Sequence, residues 1–381
     1  MTFRADWSYP TAIRFGAGRI SELAEACSSV GIKKPLLVTD RDLVNLPIME
    51  RATCVLKNAG LELVIFSEVD SNPSEINLNA GLEVYRSGRH DGVIAFGGGS
   101  GLDLAKMVAF MVHQTRPIWD FEDIGDWWRR ADTKGIHPIV AVPTTAGTGS
   151  EVGRASVITN SKTHEKKIIY HPKVLPSVVI CDPELTIGMP QFITAGSGLD
   201  AFAHCVEAFS SPHYHPMGQG IAVEGMKLVI ENLQKAYEIP NNMEARANMM
   251  SAALMGATAF QKGLGAIHAL SHPIGAHFNT HHGTTNAVLM PAVLQLNAPV
   301  IKERFDQVAG YLGLSGGFTG FCKFVDNLNN SFYIPKTLSG LGIPELDIEI
   351  LVKGALSDPS CGGNPIPLSR ENLRSILVSL A

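Results

Sequence analysis

The strongest constraint on this chain is a change of texture part-way along it. Up to about residue 183, short apolar runs at 35–39, 61–66, 92–96 and 138–142 alternate with amphipathic stretches near 43–59, 74–87 and 100–112. Strand, helix, strand at this spacing predicts βαβ units and a mostly parallel sheet. Val178 to Pro183 reads as a last strand, closed by Asp182-Pro183. Beyond Met189-Pro190 strand-like alternation almost disappears, and helical periodicity runs through 191–210, 217–236, 243–262, 264–278, 298–314, 317–330, 344–356 and 369–380. Breakers at Pro240, Pro291, Pro335 and Gly362-Gly363-Asn364-Pro365 separate these segments, and Ser369 suits the N-cap of the last. The expected fold is an α/β domain over 1–186 followed by an all-helical domain over 187–381.

Composition narrows what such a fold does. With 45% hydrophobic and 18% charged residues in 381, there is apolar material for two large cores and no signature of disorder. A net charge of −5 speaks against a nucleic-acid partner, which calls for a basic excess on one face. No apolar stretch approaches the roughly 20 residues of a membrane span, and Met1 to Trp7 contains no apolar targeting core. The six cysteines are scattered without a CxxC pair, as in a reducing compartment. These features predict a soluble cytoplasmic protein with a small-molecule partner.

Two polar loops follow buried-type strands. Gly97-Gly98-Gly99-Ser100 opens the amphipathic segment that carries Asp103 and Lys106. Glycines allow close backbone approach, and a helix N-terminus offers free N–H groups and a positive dipole end to phosphate. The loop is neither GxGxxG nor a P-loop, so the plain alternative is a ligand-free strand-to-helix turn. Pro143 to Glu151, rich in Thr, Gly and Ser, follows the next strand, where an open α/β sheet places its ligand. Asp40, at the end of the first βαβ strand, suits a ribose diol, although aspartate there also serves as a turn residue.

A second constellation lies in the helical half. Asp200 and His204 stand at i,i+4, as do His268 and His272, which puts each pair on one helix face. Asn279-Thr280-His281-His282-Gly283 then reads as a turn that brings a histidine back towards the helix. An aspartate with three histidines suits a divalent transition metal such as Fe or Zn. Each pair alone is as well explained by hydrogen-bonded core histidines. Together, in apolar helices, they carry a desolvation cost that a metal would offset. His164, His171, His213 and His215 lie near proline or charge and read as surface or loop residues.

These residues, in this order, resemble the iron-containing, or group III, alcohol dehydrogenases. The resemblance runs almost end to end: Ile13 to Gly18, Val38-Thr39-Asp40, Gly97 to Lys106, Pro143 to Val152, Asp182 to Leu185, and an HxxxHxxG…HGxxNA block from His268 to Ala287. It implies a dehydroquinate synthase-like architecture, with an N-terminal dinucleotide-binding α/β domain, a C-terminal all-α metal-binding domain, and a cleft between them for metal and nicotinamide. Carried over by position, it implies Asp200, His204, His268 and His282 as metal ligands and His272 as a nearby catalytic histidine that relays the substrate proton. It implies Gly98, Gly99 and Ser100 as the pyrophosphate cradle, with Asn72, Asp103, Thr144, Thr145 and Lys167 in the cofactor site. Asp40 matches the acidic residue that favours NAD. Fe²⁺ is the implied ion, with Zn²⁺ compatible, and a homodimer the implied assembly.

The expected function is hydride transfer between an alcohol and NAD(H). A hydroxy-acid dehydrogenase or transhydrogenase of the same family, and a non-redox NAD and metal enzyme like the dehydroquinate synthases, are the alternatives. Gly153-Arg154, Ser197-Gly198-Leu199, His281 and Ile366 depart from the common family pattern and bear on substrate choice more than on reaction type. The intact ligand set argues against the metal-free maleylacetate-reducing branch. Arg154 suits a substrate carboxylate, with Trp119, Trp127 and Trp128 nearby in sequence; a surface arginine and packing tryptophans are the plainer reading.

Overall fold

The computed structural model describes residues 9–163, 165–343 and 347–381. His164 and the start of the expected 344–356 helix lie outside them. The chain divides into two compact units, Tyr9–Gly188 and Met189–Ala381.

In the first unit the chain forms strand β1 (Ala12–Phe15), and the apolar runs become β2 (Pro35–Thr39), β3 (Val64–Phe66), β4 (Gly92–Gly97), β5 (Ile139–Pro143) and β8 (Val178–Cys181). Helices α1 (Leu23–Ser29), α2 (Pro47–Asn58), α3 (Glu75–Gly88) and α4 (Gly99–Met111) lie between them in sequence. The six strands form one parallel sheet in the order β1-β8-β5-β4-β2-β3. Strands β2, β4, β5 and β8 are buried along most or all of their length, so they read as unbroken apolar runs rather than alternating ones. Leu37, Ile94, Phe96, Val140 and Ile180 pack with Leu23, Met49 and Leu56 from the helices. Each such side chain fully removed from water contributes roughly 1.5–3 kcal/mol. The chain leaves β2 for β3 on one side and returns to β4 on the other, so the order reverses between β2 and β4. That switch point is where open α/β sheets take ligands, outside the strands' carboxyl ends.

Two features of this unit escape the hydrophobic pattern. Edge strand β1 is short and half exposed, and an antiparallel hairpin of β6 (Ala155–Asn160) and β7 (Glu165–Tyr170) carries a Glu-Lys-Lys run. Neither offers enough apolar residues to announce a strand.

The second unit is helical: α5 (Gln191–Ser210), α6 (Pro216–Glu238), α7 (Met243–Ala259), α8 (Ala266–Phe278), α9 (His282–Val308), α10 (Gly317–Ser331), α11 (Ile348–Ser357) and α12 (Arg370–Ser379). Ser369 caps α12 in a full capping box. Helix α9 corrects the sequence reading. Pro291 and Pro299 both lie inside this 27-residue helix, and Pro291 separates nothing. Tertiary packing overrides the local cost of a missing N–H, with Leu289, Met290, Val293 and Leu294 around Pro291 all buried. Among the described histidines outside the i,i+4 pairs, His171 and His215 are buried N-caps, not surface residues, their Nδ1 atoms accepting from Lys173 N and Gly218 N.

Candidate metal centre and dinucleotide loops

In the helical unit, α5, α8 and the start of α9 converge. Buried Asp200 and His204 stand one turn apart on α5, buried His268 and His272 one turn apart on α8. Asn279 ends α8 in the left-handed conformation (φ 52°), and His281 then caps α9 by accepting from Thr284 N. The turn sets His282 as the first residue of α9. Gly283 allows that approach, since a Cβ there would run into the Gly196 carbonyl of α5.

Ligand atoms of Asp200, His204 and His268 lie within 4.8 Å of one another. The Nε2 atoms of His204, His268 and His282 face the same Asp200 Oδ1 at 3.8, 3.6 and 3.5 Å. These spacings exceed a normal N–H···O bond, so three imidazoles crowd one carboxylate oxygen without bonding it well. Nδ1 of His204 is buried without a hydrogen-bond partner. A carboxylate and three imidazole nitrogens at such spacing fit the coordination sphere of one divalent cation. The electrostatics agree. Burial pushes the Asp200 carboxyl up, yet His204, His282 and His268 outweigh it and hold it well below the usual carboxylate range. Burial pulls His204 down to about 4, keeping it neutral and able to bind metal through nitrogen.

Several further residues brace this centre. Glu207, one turn beyond His204, holds Nδ1 of His268 at 2.6 Å and accepts from Ile267 N at 2.7 Å. Asp358 holds Nδ1 of His272 at 2.7 Å and is itself fixed by Ser360 N at 2.8 Å. Asn286 donates to Asp200 Oδ1 at 2.8 Å. Asn364 accepts from Ala266 N at the start of α8 and pairs with Asn297, so the breaker at Gly362 to Pro365 also anchors α8. The i,i+3 step from His204 to Glu207 was the one available clue; Asp358 lies 86 residues from its partner.

In the α/β unit, Asp40 at the end of β2 and the glycine turn at the end of β4 flank the switch point. Gly97 has φ 149°, and a Cβ there would stand 2.5 Å from Asp40 Oδ2. Gly98 N–H donates to that oxygen at 3.1 Å. Asp40 therefore holds the glycine turn from below, a role its sequence position did not suggest. Burial pushes its carboxyl up to about 6, with the Gly98 N–H opposing. Ser100 Oγ donates to Ser71 O at 2.6 Å, tying α4 to the loop that carries Asn72. Thr144 is buried and donates its N–H to Gly97 O at 2.9 Å, with half-buried Thr145 beside Gly98.

Asp103 works beneath these loops. It accepts from Ser150 Oγ and from Val157 N at 2.9 Å, and meets buried Lys106 Nζ at 3.2 Å. Lys106 also donates to the carbonyls of Ser150 and Ala155, so this pair fixes the Thr-rich loop to α4. Lys167, on β7, pairs with Glu165 at 3.0 Å and Glu122 at 3.6 Å. Arg154 stacks over Tyr170, whose ring also meets Trp128; Trp127 and Trp128 lie under Arg130 and Arg129.

Comparison with known proteins settles what this arrangement belongs to. The profile of the iron-containing alcohol dehydrogenases matches residues 10–183, and that of the C-terminal domain of the same family matches residues 194–381. The chain belongs to the iron-containing alcohol dehydrogenase family. As a member it is an alcohol dehydrogenase of the NAD-dependent kind. Its relatives include a 4-hydroxybutyrate dehydrogenase of Cupriavidus necator, 37% identical over 97% of this chain and 98% of the relative. A 1,3-propanediol dehydrogenase of Citrobacter freundii is 35% identical over 96% of each. Among solved structures, a 1,3-propanediol oxidoreductase superposes with TM-score 0.93 at 33% identity, covering 99% of this chain and 100% of the other. A sulfoacetaldehyde reductase from Bifidobacterium kashiwanohense in complex with NAD⁺ gives TM-score 0.88 at 29% identity, covering 99% and 98%. The Asp200, His204 and His268 group is thus a set of buried side chains able to hold a metal ion, in the fold of an iron-type family.

Proposed function

We propose that this alcohol dehydrogenase interconverts an alcohol and its aldehyde or ketone with NAD(H) around a divalent iron held by Asp200, His204, His268 and His282. The convergence of three imidazole Nε2 atoms on one oxygen of Asp200 carries this reading. Zn²⁺ suits the same donors, and family membership favours Fe²⁺. Once bound, the ion supplies Lewis acidity towards the substrate oxygen. Glu207 keeps a proton of His268 on Nδ1, so that Nε2 is the nitrogen that would ligate once the metal displaces its proton. Asp358 does the same for His272, so its Nε2 is the acceptor that takes the hydroxyl proton and passes it towards solvent.

In the α/β unit, Gly98, Gly99 and Ser100 present the N-terminus of α4 to the pyrophosphate. Asn72, Thr144, Thr145 and Lys167 complete the cofactor site, Asp103 holds its loops together, and Asp40 favours a free ribose 2′-hydroxyl. Asp200→Ala is expected to lose both bound metal and turnover. A variant that keeps both overturns the assignment.

A hydroxy acid is the second reading for the substrate. It is supported by the 37%-identical 4-hydroxybutyrate dehydrogenase, with Arg154 as partner for the carboxylate. Arg154→Ala should raise KM for a hydroxy acid and leave KM for a plain alcohol unchanged; no change in either disposes of it. The reading extends to a cytoplasmic enzyme, supported by six cysteines free of disulfides, and to a homodimer, which light scattering tests. Among the described residues no helix is long and apolar enough to cross a membrane.

A further inference from the structure

Three residues at the far end of the α/β sheet from the glycine loop have no part in the dinucleotide loops or the helical centre. His113 lies two residues beyond α4, and His137 two residues before β5. Their Nε2 atoms stand 3.1 Å apart, with ring centroids at 5.0 Å. The hydroxyl of buried Tyr85, from α3, meets Nδ1 of His137. We propose that His113 and His137 form a second transition-metal site, taking a late divalent cation such as Zn²⁺, with Tyr85 orienting His137.

The geometry suits that role. Two nitrogens bound to one tetrahedral ion at about 2.0–2.1 Å stand about 3.3 Å apart, close to the separation here. The pair is held on rigid elements. Gln114 and Asp132 exchange two hydrogen bonds, at 3.0 and 2.9 Å, between the segments that carry the two histidines. His137 N donates to Ala109 O at 3.1 Å, and the turn at Gly135 packs so closely on His113 that a Cβ there would lie 2.7 Å from the histidine's own. Tyr85 supplies what ligating histidines generally have, a partner on the second ring nitrogen that fixes the tautomer. His113 is exposed and His137 half-buried, which leaves the remaining coordination positions to water. Imidazole ligands select zinc, nickel or copper over magnesium or calcium. Burial, then the charge of His113, pulls the pKa of His137 down, which favours the neutral imidazole that a metal requires.

The site joins the back of α4 to the back of β5, whose other ends lead into the glycine and threonine-rich loops. A cation bound there stabilises that framework by mass action. The test is equilibrium dialysis of the metal-stripped full-length protein against micromolar free Zn²⁺, beside His113→Ala, His137→Ala and Asp200→Ala. Each histidine variant should bind one Zn²⁺ fewer per chain than the parent and lose the Zn²⁺-dependent rise in melting temperature. Dehydrogenase activity of His113→Ala should be unchanged. Asp200→Ala should keep the Zn²⁺ that His113→Ala loses, which separates this site from the helical centre. Equal stoichiometry in the parent and both histidine variants overturns the proposal and leaves the pair as a Tyr–His–His hydrogen-bond chain.

Discussion

One carboxylate oxygen of Glu207 meets Nδ1 of His268 at 2.6 Å while its other oxygen accepts from the neighbouring backbone N–H of Ile267. A single buried acid thus fixes both the tautomer of a buried imidazole and the first turn of the helix that carries it. Burial pulls His268 down, but Glu207 and then Asp200 outweigh it and raise its pKa to about 10. The imidazole is strongly polarised towards a cation, and metal binding competes with one proton there.

Glu207→Gln should therefore weaken metal retention by roughly 10–100-fold, the usual scale for losing such a partner. The amide still reaches Ile267 N–H, so the helix start is preserved and melting of the metal-free protein should change little. Metal content after graded chelator dialysis checks this. Unchanged retention would reduce Glu207 to a helix cap.

Asp358 offers a separate test of the proton path. Asp358→Asn no longer enforces the Nδ1–H tautomer of His272, and kcat should fall by roughly 10²-fold with bound metal unchanged. A drop in metal content equal to the drop in kcat would show Asp358 acting on the metal centre rather than on His272.

The pattern of apolar runs made the fold readable because β2, β4, β5 and β8 are buried and α5 to α8 keep one apolar texture. The histidine spacing likewise exposed the convergence around Asp200, since i,i+4 places side chains on one helix face. Pro291 misled because a proline is a local signal, while the packing that keeps α9 continuous comes from distant helices. Asp358 stayed hidden for a similar reason: its contact joins residues 86 positions apart. Asp40 was legible by position, but its hold on Gly98 emerges only where β2 and β4 pair side by side.

That hold predicts a pH dependence. The folded pKa of Asp40 is raised to about 6 from its ordinary value of 3.8, mainly by burial. Between these values the folded state binds more protons than the unfolded state, so stability falls as pH rises through the window. The loss is on the order of 3 kcal/mol above it. Asp40→Asn, neutral and of equal size, should raise the melting temperature at about pH 8 and leave it nearly unchanged below about pH 4. An equal shift at both pH values would refute this account of the glycine turn.

The Asp200 and histidine centre, once loaded with metal, is expected to run alcohol oxidation with NAD⁺. The most direct measurement strips the metal, restores Fe²⁺ or Zn²⁺ anaerobically, and follows NADH absorbance with NAD⁺ and a panel of short alcohols and hydroxy acids. NADH formation that is absent from the stripped protein, returns with metal and stays absent in Asp200→Ala is the predicted result. Equal turnover by the stripped and reloaded protein would contradict the account.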